Sequence, residues 1–385
     1  MQYNNGYRNE IMNMLMSYGL IPYRSLRFLP GIQQSYTRAL KRLEAEGIVR
    51  IEYVGEKSDK KKIAVLNRFD DNSQAYLKNF DRGYYGYVKN ISSRIKRSAG
   101  YGSDPYRQLR AVRGAEVCIA MQSAGIHTLF RDKPKWIMGE KIEREDAYFY
   151  NSTELSYMAL DLTADSSLAE EDAVKSTSRS CGVLKSAGGE YIVYHTGSKR
   201  LKWNNATEIR HRIGVRKSMV YKSSPSVKNG QYDRAIFFVN TEKTVLKIMD
   251  SDDECGFLNL SCIYNQMYML FTNTVDSIQM LHNMTIAEWE RILVEKYLPS
   301  HKTDLLSIKQ CVIDCDGFND QEYLLLFCIP DIKKLARFIM SAKAHNGRNK
   351  RFRIVCYSHQ KSFVTAASEG FCEVTEVVLK AIEDL

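Results

Sequence analysis

The strongest constraint on this chain lies in its first 66 residues, where the apolar spacing changes from the period of a helix to that of a strand. Tyr7 to Tyr18 sets Ile11, Met12, Leu15 and Met16 on one helical face, and Gly19 ends the run. Pro22 to Phe28 predicts a short second helix, stopped by the turn Leu29-Pro30-Gly31. A third helix is expected from Gln33 to Glu46, with Tyr36, Ala39, Leu40 and Leu43 turned inward and Gly47 closing its C-terminus in the left-handed conformation. Two strand-like runs follow, Ile48 to Val54 and Ile63 to Leu66, flanking Gly55-Glu56-Lys57-Ser58-Asp59-Lys60-Lys61-Lys62. Three helices and then a hairpin with a basic tip is the order of a winged helix-turn-helix, expected here over residues 1–69.

Charge follows the same division. Residues 1–113 carry 21 Lys and Arg against 10 Asp and Glu, while the remaining 272 carry 34 against 35, so the whole net charge of +10 belongs to the first third. Charge concentrated on a module with DNA-reading geometry fits phosphate contact better than general solubility. The outer face of the third helix offers Gln34, Ser35, Arg38, Lys41 and Arg42, side chains able to hydrogen-bond base edges in a major groove. Lys57, Lys60, Lys61 and Lys62 at the wing would meet backbone phosphates or the flanking minor groove. A basic helical connector is expected over 70–130. It contributes Arg94, Lys96 and Arg97, then a helix opened by Asp104-Pro105 whose Arg107, Arg110 and Arg113 form a positive stripe. The tyrosines between these charges suit stacking against nucleic acid or packing of the head on the body.

The rest, 131–385, alternates strand and helix patterns and is expected to be an α/β domain, with a division near 300 left open. A hairpin is read at 180–184 and 191–195 around Ser186-Ala187-Gly188-Gly189, and a buried strand at Ala235 to Val239. Met267 to Leu270 and Ile286 to Tyr297 look helical. Cys311 to Asp314 and Tyr323 to Ile329 read as strands, and Asp331 to His345 as a helix. Phe352 to Tyr357 has the character of a parallel strand whose end, at Ser358 and His359, is where α/β sites form. Helices are expected from Gln360 to Ser368 and from Glu376 to Leu385.

Motifs of known chemistry are missing from the sequence. There is no GxxxxGK[ST] phosphate loop, no GxGxxG turn and no GxSxG elbow. The seven histidines are isolated from one another in sequence. Asp314 and Asp316, and the knot Asp250, Asp252 and Asp253, are the acidic groups a two-metal nuclease could use. The Asp/Glu-x-Lys spacing of such a strand is not found, since Asp331-Ile332-Lys333 opens a helix. A second basic area runs through Arg179, Lys199, Arg200, Lys202, Arg210, Arg212, Arg216 and Lys217. Nine scattered cysteines without a CxxC pair point to free thiols in a reducing compartment. With neither a leader-like start nor a long apolar run, the expected location is the cytoplasm, without membrane contact. No cofactor and no metal are expected.

The segment Tyr36-Thr37-Arg38-Ala39-Leu40-Lys41-Arg42-Leu43-Glu44-Ala45-Glu46-Gly47-Ile48-Val49 and the wing after it resemble the replication-relaxation family of plasmids and conjugative elements, as more faintly do the 180–195 hairpin and Lys202-Trp203. The resemblance implies a winged-helix head, a basic linker and an α/β body that looks nuclease-like without its catalytic signature. It further implies a mobile-element protein that binds plasmid or transposon DNA and supports replication, transfer or regulation. The expectation is therefore a non-enzymatic, sequence-specific binder of double-stranded DNA, whose body dimerises or recruits replication or transfer proteins. A metal-dependent nuclease or nickase targeted by the head, and a repressor whose body senses a ligand near Ser358 and His359, stay open.

Overall fold

The computed structural model describes residues 6–55, 60–67, 78, 105–129, 132–134, 146–152, 154–155, 179–197, 205–222, 234–249, 263–299, 301, 303, 308, 311–345 and 350–384. They make a mixed helix-and-strand protein with three sheets.

The head begins with α1 (Gly6–Tyr18) and β1 (Leu20–Pro22), followed by a 3-10 helix (Tyr23–Phe28). The helix expected over Pro22 to Phe28 is thus part strand and part 3-10 turn. Leu20, Ile21 and Pro22 pair with Val65, Ala64 and Ile63, so Pro22 ends an edge strand, where a missing N–H costs little. Next come α2 (Gln33–Ala45), β2 (Val49–Val54) and β3 (Lys61–Leu66), in an antiparallel sheet of order β1-β3-β2. Gly47 has φ +73°, and the Ile48 N–H reaches back to the Leu43 carbonyl at 3.0 Å, the left-handed close expected from sequence. Ile11, Leu15, Tyr36, Leu40 and Leu43 fill the core between α1, α2 and the sheet.

The spine of the molecule is α3 (Pro105–Ser123). Its Val112 and Ala115 pack on Leu20, Val54, Ile63 and Val65 of the head, and Ile119 joins the main head core. Val117, Cys118 and Met121 of the same helix pack into the body. Head and body are therefore mounted on one helix.

The body opens with β4 (Tyr148–Asn151), β5 (Ser180–Ser186) and β6 (Gly189–Gly197), an antiparallel meander. Then α4 (Asn205–Lys222), β7 (Arg234–Val239), α5 (Glu242–Met249) and β8 (Gln266–Phe271) extend the sheet with parallel strands in the order β4-β5-β6-β7-β8. Two helices, α6 (Val275–Met284) and α7 (Trp289–Tyr297), follow. The last sheet holds β9 (Gly317–Phe318), β10 (Glu322–Leu326), β11 (Arg351–Tyr357) and β12 (Glu373–Val377), with α8 (Ile332–Ala344) and α9 (Lys361–Ser368) between the parallel strands. The Met269 N–H donates to the Pro330 carbonyl at 2.9 Å, tying the two body sheets together.

Alternate residues of the body strands enter two cores. Ile192, Tyr194, Phe237, Met267 and Ile354 face one, and Val193, Ile236, Phe238, Leu270 and Val355 the other. Burial on both faces is why these strands are continuously apolar. Both cores draw residues from before and after position 300.

In the body, three further expectations fail. Met267 to Leu270 is strand β8; a segment buried on both faces shows no period that separates strand from helix. Cys311 to Asp314 is irregular backbone, with Val312 94% exposed. Glu376 to Leu385 is no helix: Glu373–Val377 pairs in parallel with β11, and only a 3-10 turn (Ile382–Asp384) follows.

Candidate nucleic-acid interface

The two faces of α2 are sharply divided. Tyr36, Leu40 and Leu43 are fully buried, whereas Gln34, Arg38, Lys41 and Arg42 are exposed and Ser35 is half-buried. The exposed four lie at i, i+4, i+7 and i+8, one stripe of a helix. The buried face is pinned by polar contacts as well as by packing. Tyr36 Oη lies 2.6 Å from the Pro30 carbonyl and 2.7 Å from the Glu10 carboxylate, and its ring meets Tyr7 edge-on at 4.8 Å. Arg8 makes a fork with Glu46 at 2.7 and 2.6 Å, tying α1 to the end of α2. At the turn before α2, Gly31 has φ +102°, and a Cβ there would lie 2.7 Å from Tyr7 Oη. Glycine is required at that position on both counts.

The β2–β3 hairpin lies beside this helix. Lys60 and Lys62 are exposed, with Lys62 Nζ 4.3 Å from the centre of the Tyr23 ring, and Tyr53, paired in register with Lys62, is 64% exposed. Burial, with Glu44 and Tyr53 nearby, pushes the Tyr23 hydroxyl up to about 12. Lys61 differs from its neighbours: strand alternation turns it inward, to 7% exposure, where its charge acts on Glu116 and His195. It is withdrawn from any phosphate.

The connector changes more. Arg110 is half-buried against the body, where its charge acts on His211, Cys181 and Glu208, and burial lowers its pKa. Arg113 lies against β6, close enough that a Cβ on Gly197 would meet its guanidinium at 2.6 Å. Of the positive stripe expected on this helix, Arg110 and Arg113 are thus turned toward the body, on the side where Val117 and Met121 also pack. Lys57, Arg94, Lys96, Arg97 and the side chain of Arg107 lie outside the described residues.

A buried knot that sequence reasoning missed joins head, spine and body. Glu116 of α3 has no exposed side-chain surface, and its Oε1 accepts from Arg24 Nε of the head at 2.7 Å. Its Oε2 lies 3.1 Å from His195 Nε2 at the end of β6. The Gly197 N–H donates to His195 Nδ1 at 3.0 Å, so in the neutral ring the proton sits on Nε2 and points at Glu116. Burial alone would raise the Glu116 pKa, but the hydrogen bond and charge interaction with His195, followed by the charges of Lys61 and Arg24, outweigh it and hold the group at about 2. Burial lowers the His195 pKa, against the opposing pull of Glu116. Close by, Ser25 Oγ donates to Asn273 Oδ1 at 3.2 Å, and Arg27 to the Asn273 carbonyl at 3.1 Å. Arg24, Glu116 and His195 are far apart in sequence, and no local pattern marks them.

Elsewhere the candidate chemical groups are occupied by the fold. Asp314 pairs with Arg337 at 2.5 Å, and Asp316 with Lys334 of the same helix while accepting from the Leu326 N–H at 2.8 Å. Among the described residues no three His, Cys, Asp or Glu side chains are placed to hold a metal ion, and the Asp250, Asp252 and Asp253 knot lies outside them. His359 stacks on Tyr357 and faces Asp276 at 3.6 Å, so the end of β11 is tied to α6. In the second basic area, Arg179 and Arg210 are exposed, while Arg212 reaches the Ile263 carbonyl. Lys199, Arg200, Lys202 and the side chains of Arg216 and Lys217 lie outside the described residues. A buried cluster lies there too: His211 Nε2 is 2.8 Å from Ser180 Oγ, and Tyr194 Oη donates to Glu208 at 3.0 Å. The seven described cysteines are free thiols, and among the described residues no helix is long and apolar enough to cross a membrane. Comparison with protein-family models, with characterised proteins and with solved structures finds no match to this chain.

Proposed function

We propose that residues 6–67 form a winged helix and that the protein is a sequence-specific binder of duplex DNA, with the α/β body as its rigid mount. The observation that carries this reading is the outer face of α2, where Gln34, Arg38, Lys41 and Arg42 stand in one exposed stripe above a fully buried apolar face. A helix so presented fits a major groove, where arginine and glutamine make two-point contacts with guanine and adenine. The order helix, strand, short helix, helix, hairpin supports the winged-helix assignment, as does the sheet order β1-β3-β2. The exposure of Lys60 and Lys62 on the hairpin supports contact with backbone phosphates, which set orientation more than sequence. The resemblance of residues 36–49 to the replication-relaxation family makes plasmid or transposon DNA the target we propose, and replication, transfer or regulation of such an element the setting.

The test uses the full chain and duplexes selected by it from a random-sequence library. Arg38→Ala combined with Lys41→Ala removes two exposed side chains, so the melting temperature should hold while affinity for the selected duplex falls at least tenfold, with lost sequence preference. Unchanged affinity and preference in that double variant would rule out α2 as the reading helix.

A further inference from the structure

The residue before α2 is unexpected. Ile32 occupies its N-cap, with extended backbone and no side-chain hydrogen bond to the helix, although Ser, Thr, Asp or Asn there would satisfy a helix N–H. Its side chain is 62% exposed. It is also held firmly. The Ile32 N–H donates to Tyr7 Oη at 3.2 Å, and the turn below it is set by Gly31 against Tyr7 and by the Tyr36 hydroxyl at the Pro30 carbonyl. A β-branched side chain on a fixed backbone, at a position better served by a polar cap, presents a stiff apolar knob to solvent. Two residues further on, Gln34 is exposed at the same end of the helix, with Arg38 one turn beyond it.

We infer that Ile32 and Gln34 together read an A·T base pair step, Ile32 packing on a thymine 5-methyl group and Gln34 making the paired contact to adenine N6 and N7. This rests on the reading of α2 as a DNA-binding helix. The occupant is set by charge and shape: Arg38, Lys41 and Arg42, on the exposed stripe of α2 that begins at Gln34, call for a polyanion. In a major groove the one apolar group offered to a protein is the thymine methyl, and the two-point partner of a glutamine is adenine. Ile32 is then a specificity residue, and its place at the cap is a stability sacrifice that the helix tolerates.

The experiment takes the best duplex selected by the full chain and replaces its thymines, one at a time, with deoxyuridine, which differs only in lacking the methyl. One such probe should bind the wild-type protein about fourfold more weakly, the worth of a single buried methyl group. Ile32→Ser should bind that probe and the parent equally, while its melting temperature stays level or rises because serine supplies the missing cap. Replacing adenine by 7-deazaadenine beside that thymine should weaken the wild type about tenfold and leave Gln34→Ala unaffected. If every deoxyuridine probe binds as tightly as its parent, or if Ile32→Ser melts well below the wild type, Ile32 is a structural residue and the inference is overturned while DNA binding stands. If the full chain enriches no duplex at all, the reading of α2 fails and takes the inference with it.

Discussion

Replacing Glu116 by glutamine tests how the head is held on the body. The carboxylate lies between Arg24 of the head and His195 of β6, without solvent exposure, and its pKa is held at about 2. Against an ordinary value of roughly 4.3, that depression corresponds to about 3 kcal/mol favouring the charged form in the fold. Glutamine keeps one acceptor oxygen, but it cannot neutralise Arg24 or Lys61, and its amide N–H₂ faces the His195 N–H with a donor. Arg24 is 40% exposed and can turn to water, so part of the loss is recovered. The expected cost is about 2–3 kcal/mol in urea-induced unfolding at pH 7. The sign with pH follows from the depressed pKa. The stabilisation is complete above the unfolded value near pH 4.3 and disappears as pH falls toward 2, so the gap between wild type and variant should close over that interval. A gap below about 0.5 kcal/mol at pH 7, set against that expected cost, or one unchanged down to pH 3, would refute the assignment of Glu116 as the ionised centre of the knot.

Further perturbations follow from single observations. Gly188→Ala should destabilise by about 3 kcal/mol in thermal unfolding, since the added Cβ would lie 2.0 Å from the Met284 carbonyl; a neutral outcome would mean the hairpin turn is packed differently. Burial pushes His211 down to about 4, so unfolding should become easier as pH falls from 6.5 toward 4, and His211→Gln should flatten that dependence in urea titrations at several pH values. Lys60→Ala with Lys62→Ala should make the salt dependence of duplex binding shallower by about 2 in the log–log slope without altering the selected sequence; a changed sequence preference would show that the hairpin reads bases.

The head was more legible in the sequence than the body, and the reason is periodicity. Tyr36, Leu40 and Leu43 against Gln34, Arg38 and Lys41 is an amphipathic pattern that fixes both the helix and its outward face, and Gly47 marks its end. In Gln266–Phe271 and Glu373–Val377 that signal failed, one being buried on both faces and the other an edge strand of mixed glutamate and valine. Charge was read less well than spacing. Lys61 looks like Lys60 and Lys62 in a basic run, yet strand alternation buries it; Arg110 looks like a phosphate contact, yet the packing of α3 turns it inward. The knot of Arg24, Glu116 and His195 exists only because the tertiary fold brings three distant elements together, and no spacing rule reaches that far.

The salt dependence of duplex binding by the full chain addresses the central claim most directly. Titrating a labelled selected duplex at several salt concentrations should give a log–log slope of about −4.5, the sum over Arg38, Lys41, Arg42, Lys60 and Lys62 at roughly 0.9 for each phosphate charge neutralised. A flat slope, or no binding at low salt, would contradict a cationic face built to hold a double helix.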